Sequence, residues 1–342
     1  MLTKIHLENF TAFNKIDISF SPGINVFIGA NGTGKTHIMK ACYSACDISV
    51  SGRNFADKLE KVFFPSNHHI GRLARRNKNN LNSLIKVSRL IKNKSVDLSL
   101  NFSSTTTAFE KTEISGTTSW DAEKINSVFI PVKDMLANAP GFHSSYTQRE
   151  LHFEEIYDDI ISKALLGKLK DNLDDSRRKI LAILEKAIDG KVIIKKEEFF
   201  LKNKNRQLEF TLLAEGFRKL ALLYALIQNG TLNNGSVLFW DEPEANLNPS
   251  LMEVVVEILL VLQRHGVQVF IATHDYVFLK WLSLKIDYNK DNICYHSLFK
   301  DQNNEENILF SSVFNYDEIS PNAIDLGYEL LADAEIRQEF GE

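Results

Sequence analysis

The sequence predicts an α/β protein built on a parallel β-sheet, because three short apolar runs each end in polar residues suited to a ligand site. The runs are INVFI at 24–28, VLFW at 237–240 and VQVFIA at 267–272. Strands of a parallel sheet are buried on both faces and therefore read as continuous apolar, largely β-branched and aromatic, runs. Ligands bind such sheets at the carboxyl ends of the strands. We therefore expect the residues that follow the three runs to share one site.

A glycine-rich loop follows the first run. The stretch GANGTGKT occupies residues 29–36 and leads into a segment with helical spacing. Strand, loop and helix together carry the full G-x-x-x-x-G-K-[ST] pattern of a phosphate-binding loop. Glycines allow successive backbone N–H groups to point at phosphate oxygens, and the helix N-terminus adds the positive end of its dipole. The pattern predicts a P-loop NTPase that binds a nucleoside triphosphate with Mg²⁺.

Two side chains of this loop have distinct expected roles in nucleotide binding. Lys35 is expected to reach the β- and γ-phosphates, and the Thr36 hydroxyl is expected to ligate Mg²⁺. The predicted nucleotide-binding residues of the loop are Asn31, Gly32, Thr33, Gly34, Lys35, Thr36 and His37.

The second and third runs end in residues suited to hydrolysis. Asp241, directly after VLFW, can complete the Mg²⁺ site with Thr36, and Glu242 can orient and deprotonate an attacking water. His274 follows the third run, where a neutral imidazole can contact the γ-phosphate or hold the water. We therefore predict that Lys35, Glu242 and His274 are catalytic.

Taken in order, these motifs resemble the ABC-type ATPase heads of the RecF, SMC-like and OLD-like branch, in particular the stand-alone AAA family ATPases of bacterial anti-phage systems. The opening MLTKIHLENFTAF resembles the antiparallel sheet that precedes the phosphate loop in that branch. LLAEGFRKLALLYAL, residues 212–226, stands in place of the signature motif, DEPEANLNP supplies Walker B and the D-loop, and ATHD supplies the switch histidine. The resemblance implies an α/β P-loop head with an N-terminal antiparallel sheet, a parallel core sheet and an inserted helical lobe.

The resemblance also implies how a single head, residues 1–342, is divided. The expected segments are 1–48 with the N-terminal sheet and phosphate loop, 51–126 with a basic insert and β meander, 127–215 with a Q-loop-like region, helical lobe and hairpin, and 216–342 with the signature helix, Walker B, D-loop, switch histidine and C-terminal tail. At the Q-loop position, Lys133 is the first candidate for nucleotide contact and Gln148 is the second.

In this branch two heads bind ATP between the phosphate loop of one head and the signature helix of the other. The resemblance therefore implies a head-to-tail homodimer with ATP and Mg²⁺ as cofactors. Gly216 would cap the partner's γ-phosphate through backbone amides. Asn246, Leu247 and Asn248 would cross the interface.

The signature motif departs from the pattern of that branch at one position. The usual serine is replaced by Ala214, and Glu215 follows it. One side-chain donor to the trans phosphate is thereby lost, so we expect a weaker or slower dimer. Arg218 and Lys219 are the residues that could compensate.

A basic segment distinguishes the region after the phosphate-loop helix. Residues 61–94 contain nine Lys or Arg residues and no acid. They are Lys61, Arg72, Arg75, Arg76, Lys78, Lys86, Arg89, Lys92 and Lys94. Such a segment can contact nucleic acid or an acidic partner, and it can equally be a solvated surface.

Composition limits the class of protein. The chain is 44% hydrophobic and 25% charged with a formal net charge of −4, which argues against a generally basic nucleic-acid binder. No apolar run is long enough to span a bilayer, and the N-terminus lacks the features of a secretion signal. The three cysteines are too few for a disulfide framework. We therefore expect a cytoplasmic protein without a membrane partner.

The sequence and the resemblance together predict an ATPase that acts as a switch. ATP hydrolysis would gate a separate effector, such as a nuclease or toxin, in anti-phage defence. The segment after His274 is short for an appended nuclease domain, so we expect no intrinsic nuclease activity. Three alternatives stay open: a RecF-like repair ATPase that binds DNA, a transporter nucleotide-binding subunit, and a scaffold that binds ATP without useful turnover.

Overall fold

The described part of the chain, residues 1–75, 82–149, 151–169 and 174–340 of a computed structural model, forms fourteen β-strands and ten α-helices. The strands are β1 Leu2–Phe10, β2 Phe13–Ser19, β3 Ile24–Gly29, β4 Asn82–Ile91, β5 Lys94–Ser103, β6 Glu113–Ser115, β7 Ser127–Ile130, β8 Lys191–Lys195, β9 Glu198–Lys202, β10 Gln207–Glu209, β11 Val237–Asp241, β12 Gln268–Thr273, β13 Ile293–Lys300 and β14 Ile308–Val313. The helices are α1 Lys35–Ser51, α2 Phe55–Phe63, α3 Thr117–Trp120, α4 Phe142–Arg149, α5 Glu155–Ala164, α6 Asp175–Ala187, α7 Glu215–Gln228, α8 Met252–Arg264, α9 Tyr276–Lys285 and α10 Ala323–Phe340.

The central sheet has six strands in the order β14-β13-β3-β12-β11-β7. All neighbouring pairs are parallel except β13 and β14. Every residue of β3, β11 and β12 is buried, because helices or the second sheet cover both faces. The three apolar runs are therefore neighbouring strands, and the predicted α/β fold with a parallel core sheet is confirmed.

A five-stranded antiparallel sheet, ordered β2-β1-β4-β5-β6, contains the N-terminus. It confirms both the expected opening sheet and the expected β meander after the phosphate-loop helix. Helix α1 lies between the two sheets, and most of its residues are buried. Because elements pack on both sides of α1, the helix fixes the phosphate loop firmly to the core.

The inserted lobe consists of α4 to α6 with a three-stranded antiparallel sheet, β10-β9-β8. Its helix α6 packs on α7 and α8. Helices α5 and α6 lie before and after residues 170–173, which are not described. A turn at residues 203–205 joins β9 to β10. Strand β10 is therefore followed, after a short connection, by the start of α7.

The basic segment does not form one free cationic surface among its described residues. Lys61, Lys86 and Lys92 pair with Asp57, Asp97 and Glu123, respectively. Arg89 is buried with its guanidinium over the ring of Trp120, and Arg75 donates hydrogen bonds to residues 306 and 307. Arg76 and Lys78 lie outside the described residues. The remaining two basic residues, Arg72 and Lys94, are exposed.

Of the helices in the described ranges, none combines the length and apolarity needed to cross a membrane.

A buried ionic cluster joins α1, α2 and α5. The Lys58 ammonium is almost fully buried and lies 3.0 Å from Asp47, 2.8 Å from Glu155 and 2.6 Å from Asp159. Burial alone would raise the pKa of Asp47. The charges of Lys163 and Lys58 outweigh this effect, so the pKa of Asp47 is lowered. Asp47 therefore stays ionised inside the protein, and Lys58 is the cation that the three carboxylates share.

Replacing Lys58 by Met should lower the free energy of unfolding by about 3–5 kcal/mol, because buried carboxylates lose their cation. Urea denaturation near neutral pH measures this loss. Lys86→Met is the matched control, since its pair with Asp97 is solvent-exposed and should contribute about 1 kcal/mol or less. Equal losses in both variants would show that the buried cluster does not stabilise the head.

Candidate functional site

The phosphate loop between β3 and α1 requires glycine at its first and last turns. Gly29 and Gly34 have φ values of 149° and 92°. A Cβ on Gly29 would lie 2.2 Å from the carbonyl oxygen of Leu298, and one on Gly34 would lie 2.4 Å from the ring of Phe13. Helix α1 begins at Lys35 without a side-chain cap, so its first N–H groups are free of an intramolecular side-chain acceptor. This is the geometry of an anion-binding helix start.

Lys35 folds back over the loop. Its Nζ donates to the carbonyls of Gly29 at 2.6 Å and Ala30 at 3.0 Å. Burial lowers the pKa of Lys35, and the charges of Asp241 and Glu242 partly oppose this shift. The ammonium therefore lies within electrostatic range of the acidic pair, as predicted.

Thr36 and Asp241 form the predicted metal pair. The Thr36 hydroxyl lies 3.2 and 3.0 Å from the two carboxylate oxygens of Asp241 and donates to them. Burial, with a contribution from the charge of Glu242, raises the pKa of Asp241 to about 6. A hydroxyl beside a buried carboxylate is the hard oxygen donor set that Mg²⁺ prefers. These two residues would hold a magnesium ion at the end of β11.

Glu242 and His274 meet at the carboxyl ends of neighbouring strands. The Nδ1 atom of His274 is 3.3 Å from Oε1 of Glu242, and both side chains are partly exposed. Glu242 adopts the left-handed conformation, with φ of 47°, while its amide donates to the carbonyl of Ala272 at 2.9 Å. Such strain in a non-glycine residue is typical of functional sites. The structure brings the two residues together in contact with solvent.

The predicted nucleotide-binding residues of the phosphate loop differ in their solvent exposure. Asn31 and Gly32 are exposed, whereas Thr33 is buried and donates through its hydroxyl to the Ala30 carbonyl at 2.9 Å. His37 packs on the ring of Phe63, and burial lowers its pKa to about 4. The side chains of Thr33 and His37 are therefore directed into the protein, which leaves their backbone amides as the groups that could meet phosphate.

Glu244 also belongs to this site, although it was not among the residues predicted for it. Its Oε1 accepts the Thr273 hydroxyl at 2.7 Å and the His274 amide at 3.3 Å. Burial raises the pKa of Glu244. By accepting hydrogen bonds from the Thr273 side chain and the His274 amide, Glu244 sets the position of His274. Its spacing two residues after Glu242, in EPE, was the available signal.

Arg218 and Lys219, the residues that could compensate for the missing signature serine, both have partners within their own head. Lys219 is fully buried, and its Nζ donates to the carbonyls of Ala245 at 2.7 Å and Glu242 at 3.4 Å. Arg218 forms an ion pair with Asp134 at 2.8 Å. Both cations are occupied within their own head, because α7 packs directly against the loop after β11.

The D-loop also presents fewer residues than expected. Asn246 and Asn248 are exposed, but Leu247 is buried in the core of its own head. The Leu247 prediction is therefore wrong, since an apolar side chain at this bend packs inward. A Cβ on Gly216 would lie 2.8 Å from the Asn246 carbonyl oxygen, so the first turn of α7 and the D-loop touch.

The two Q-loop candidates lie apart in the chain. Lys133 is exposed just after the carboxyl end of β7, which neighbours β11 in the sheet. Gln148 is exposed on α4. The assignment of either residue to nucleotide contact stays a prediction.

Replacing Asp241 by Asn should stabilise the protein, and more so near pH 7 than near about pH 4. Because folding raises this pKa from 3.8 to about 6, the carboxylate opposes folding above pH 3.8, with the full penalty reached above pH 6. The gain near pH 7 should reach roughly 3 kcal/mol at most. Urea denaturation at both pH values in the absence of Mg²⁺ tests this, and a gain independent of pH would contradict it.

A family model described as "AAA domain, putative AbiEii toxin, Type IV TA system" matches residues 24–280 of this chain. The matched range begins with β3 and ends within α9, so it contains the phosphate loop, α7, the acidic pair and His274.

Among curated proteins, the chain is similar to DNA replication and repair proteins RecF. The protein of Streptococcus uberis is 34% identical over 100 residues, which cover 29% of this chain and 24% of that protein. The protein of Cytophaga hutchinsonii is 44% identical over 45 residues, which cover 13% of this chain and 12% of that protein. The chain thus matches about a quarter or less of the length of these relatives.

Solved SMC heads share the fold. The SMC head domain from Thermotoga maritima aligns with a TM-score of 0.51 at 13% identity, covering 91% of this chain and 98% of that one. An SMC head bound to the C-terminal winged-helix domain of ScpA aligns with a TM-score of 0.60 at 13% identity, covering 92% and 98%. With these motifs brought together on a fold that it shares with SMC heads, the chain belongs to the AAA-domain family whose model matches residues 24–280.

Proposed function

We propose that this head binds and hydrolyses ATP, dimerises head to tail, and thereby controls a separate effector protein in anti-phage defence. One observation carries the proposal: Lys35, the Thr36–Asp241 pair and the Glu242–His274 pair converge at the carboxyl ends of β3, β11 and β12. The family description, which refers to a putative toxin of a type IV system, supports pairing with a toxin or nuclease.

Nucleotide binding would use the loop and the metal pair. The backbone amides from Gly32 to Thr36 surround the β- and γ-phosphates, and the Lys35 ammonium neutralises part of their charge. Bound between Thr36 and Asp241, Mg²⁺ would neutralise the developing charge on the phosphate oxygens. The buried carboxylate of Asp241 favours a cation strongly, because burial disfavours its ionised form alone.

Hydrolysis would depend on Glu242 and His274. The Glu242 carboxylate accepts a proton from water as the water oxygen bonds to the γ-phosphorus, while the bond between that phosphorus and the bridging oxygen of ADP breaks. His274 orients the Glu242 carboxylate, from which it is separated by 3.3 Å. The Glu244 carboxylate accepts a hydrogen bond from the His274 backbone amide and so keeps His274 in place. The products are ADP and phosphate.

Replacing Glu242 by Gln should lower the rate of phosphate release at least about 100-fold, because the general base is lost. Binding of a fluorescent ATP analogue should persist, whereas Lys35→Ala should abolish it. Glu257→Gln, on the neighbouring helix α8, is the control and should hydrolyse ATP normally. Unchanged turnover in Glu242→Gln would overturn the proposed chemistry, whereas a parent protein that binds ATP and releases no phosphate would favour the scaffold.

Replacing Ala214 by Ser should tighten ATP-dependent dimerisation severalfold. Ala214 is the exposed N-cap residue of α7 and makes no side-chain cap. A serine hydroxyl there could donate to a phosphate held by the partner head, and it would add about 0.5–1 kcal/mol of capping stability. Sedimentation with ATP and Mg²⁺ in the Glu242→Gln background gives the dimer dissociation constant. Ala214→Gly serves as a control without a hydroxyl, and equal dissociation constants for the two variants would contradict the prediction.

A RecF-like repair ATPase that binds DNA is the second candidate, favoured by the similarity to RecF proteins. Its nucleotide chemistry would be the same, so DNA dependence separates the two. Stimulation of hydrolysis by DNA, lost on Arg72→Glu and Lys94→Glu, would favour repair over effector control.

A further inference from the structure

The C-terminal helix α10 lies beside the nucleotide site. A cavity of about 420 Å³ separates the two. Its lining combines residues 29–31 of the phosphate loop with His274 and with Ile324, Tyr328 and Leu331 of α10. The helix therefore borders the first half of the phosphate loop and the switch histidine.

The first turns of α10 are fixed to the body of the head. Ile324 is buried, and the Tyr316 hydroxyl donates to the Asp325 carboxylate. The ring of Tyr328 stacks on that of Tyr276, with centroids 4.4 Å apart. Since Tyr276 opens helix α9 two residues after His274, α10 is held in a defined position relative to the site.

The second half of α10 has no cover within the head. All side chains described from Glu329 onward are exposed. They include Leu330 at 63%, Leu331 at 55% and Ile336 at 53% exposure. Exposed apolar side chains on a helix typically mark an interaction surface.

Charge restricts what can cover this helix. Five acids and one arginine lie within α10. The acids are Asp325, Glu329, Asp333, Glu335 and Glu339. Pairing of two α10 helices would bring like charges together, so the complementary surface is apolar and basic.

The signature side of the same head presents such a surface. Leu212 and Phe217, on either side of Ala214, are both exposed. The neighbouring sheet of β8 to β10 leads directly into this turn and carries six basic residues against three glutamates between residues 191 and 209. The basic residues are Lys191, Lys195, Lys196, Lys202, Lys204 and Arg206.

We propose that α10 docks on the signature-side face of a second copy of this chain and so extends the ATP-dependent interface. The inference rests on the proposed head-to-tail dimer, which places the cavity face of one head opposite the first turn of the other head's α7. Leu330 and Ile336 then bury against the apolar residues around Ala214. The acids of α10 meet the basic residues of the β8–β10 sheet.

The test uses the full chain in the Glu242→Gln background, with ATP and Mg²⁺. Leu330→Asp with Ile336→Asp should weaken the dimer at least about tenfold by sedimentation, because charged side chains replace buried apolar ones. Titration with a fluorescent ATP analogue should show unchanged nucleotide binding. Leu309→Asp, an exposed leucine on the edge strand β14, is the matched control and should dimerise normally.

Charge reversal tests the identity of the docking face. Glu329→Lys with Asp333→Lys should weaken the dimer, and Lys196→Glu with Lys204→Glu in the same chain should restore at least part of the affinity. Dimerisation of the α10 variants as tight as in the parent would overturn the inference while the proposed dimer stands. A parent that stays monomeric with ATP would instead overturn the dimer. Weakening without restoration would overturn the assignment of the β8–β10 sheet.

Discussion

The hydrogen bond between Thr36 and Asp241 spans 205 positions of sequence, and the parallel registration of β3, β12 and β11 makes it possible. In this register Asp241 is level with Ala272, and Thr273 is level with Ile28, so three strands end at one edge. The enclosed helix α1 fixes the loop at that edge from behind. Every functional contact described here requires this alignment, since a shift of one residue would turn the alternate side chains inward.

The site is assembled from groups that burial makes costly. Asp241 and Glu244 have raised pKa values, Lys35 has a lowered one, and Glu242 holds a left-handed backbone. Each is tolerated because apolar packing on both faces of the sheet stabilises the surrounding strands. A cation and a polyanion would relieve these costs together, which favours joint binding of metal and nucleotide.

Local sequence was sufficient where one short segment contains both the structural signal and the reactive residue. The glycines before Lys35 and the apolar run before Asp241 are of this kind, and so the central sheet and its polar edge were predictable. Lys219, Leu247 and Arg89 were not, because long-range packing decides whether a side chain meets solvent or a buried acceptor. The role of Glu244 and the position of α10 beside the nucleotide site were not predicted for the same reason, since their partners lie far away in the sequence.

The buried ammonium of Lys219 connects two functions of one polypeptide. Lys219 lies on helix α7, which a neighbouring head would contact. Its Nζ donates hydrogen bonds to the backbone carbonyls of Glu242 and Ala245. Displacement of that helix by an incoming subunit would therefore move the segment that carries Glu242 in the same subunit. In a symmetric dimer, ATP binding at one site would therefore affect the other site. The rate of hydrolysis would depend cooperatively on ATP concentration, unlike that of two independent sites.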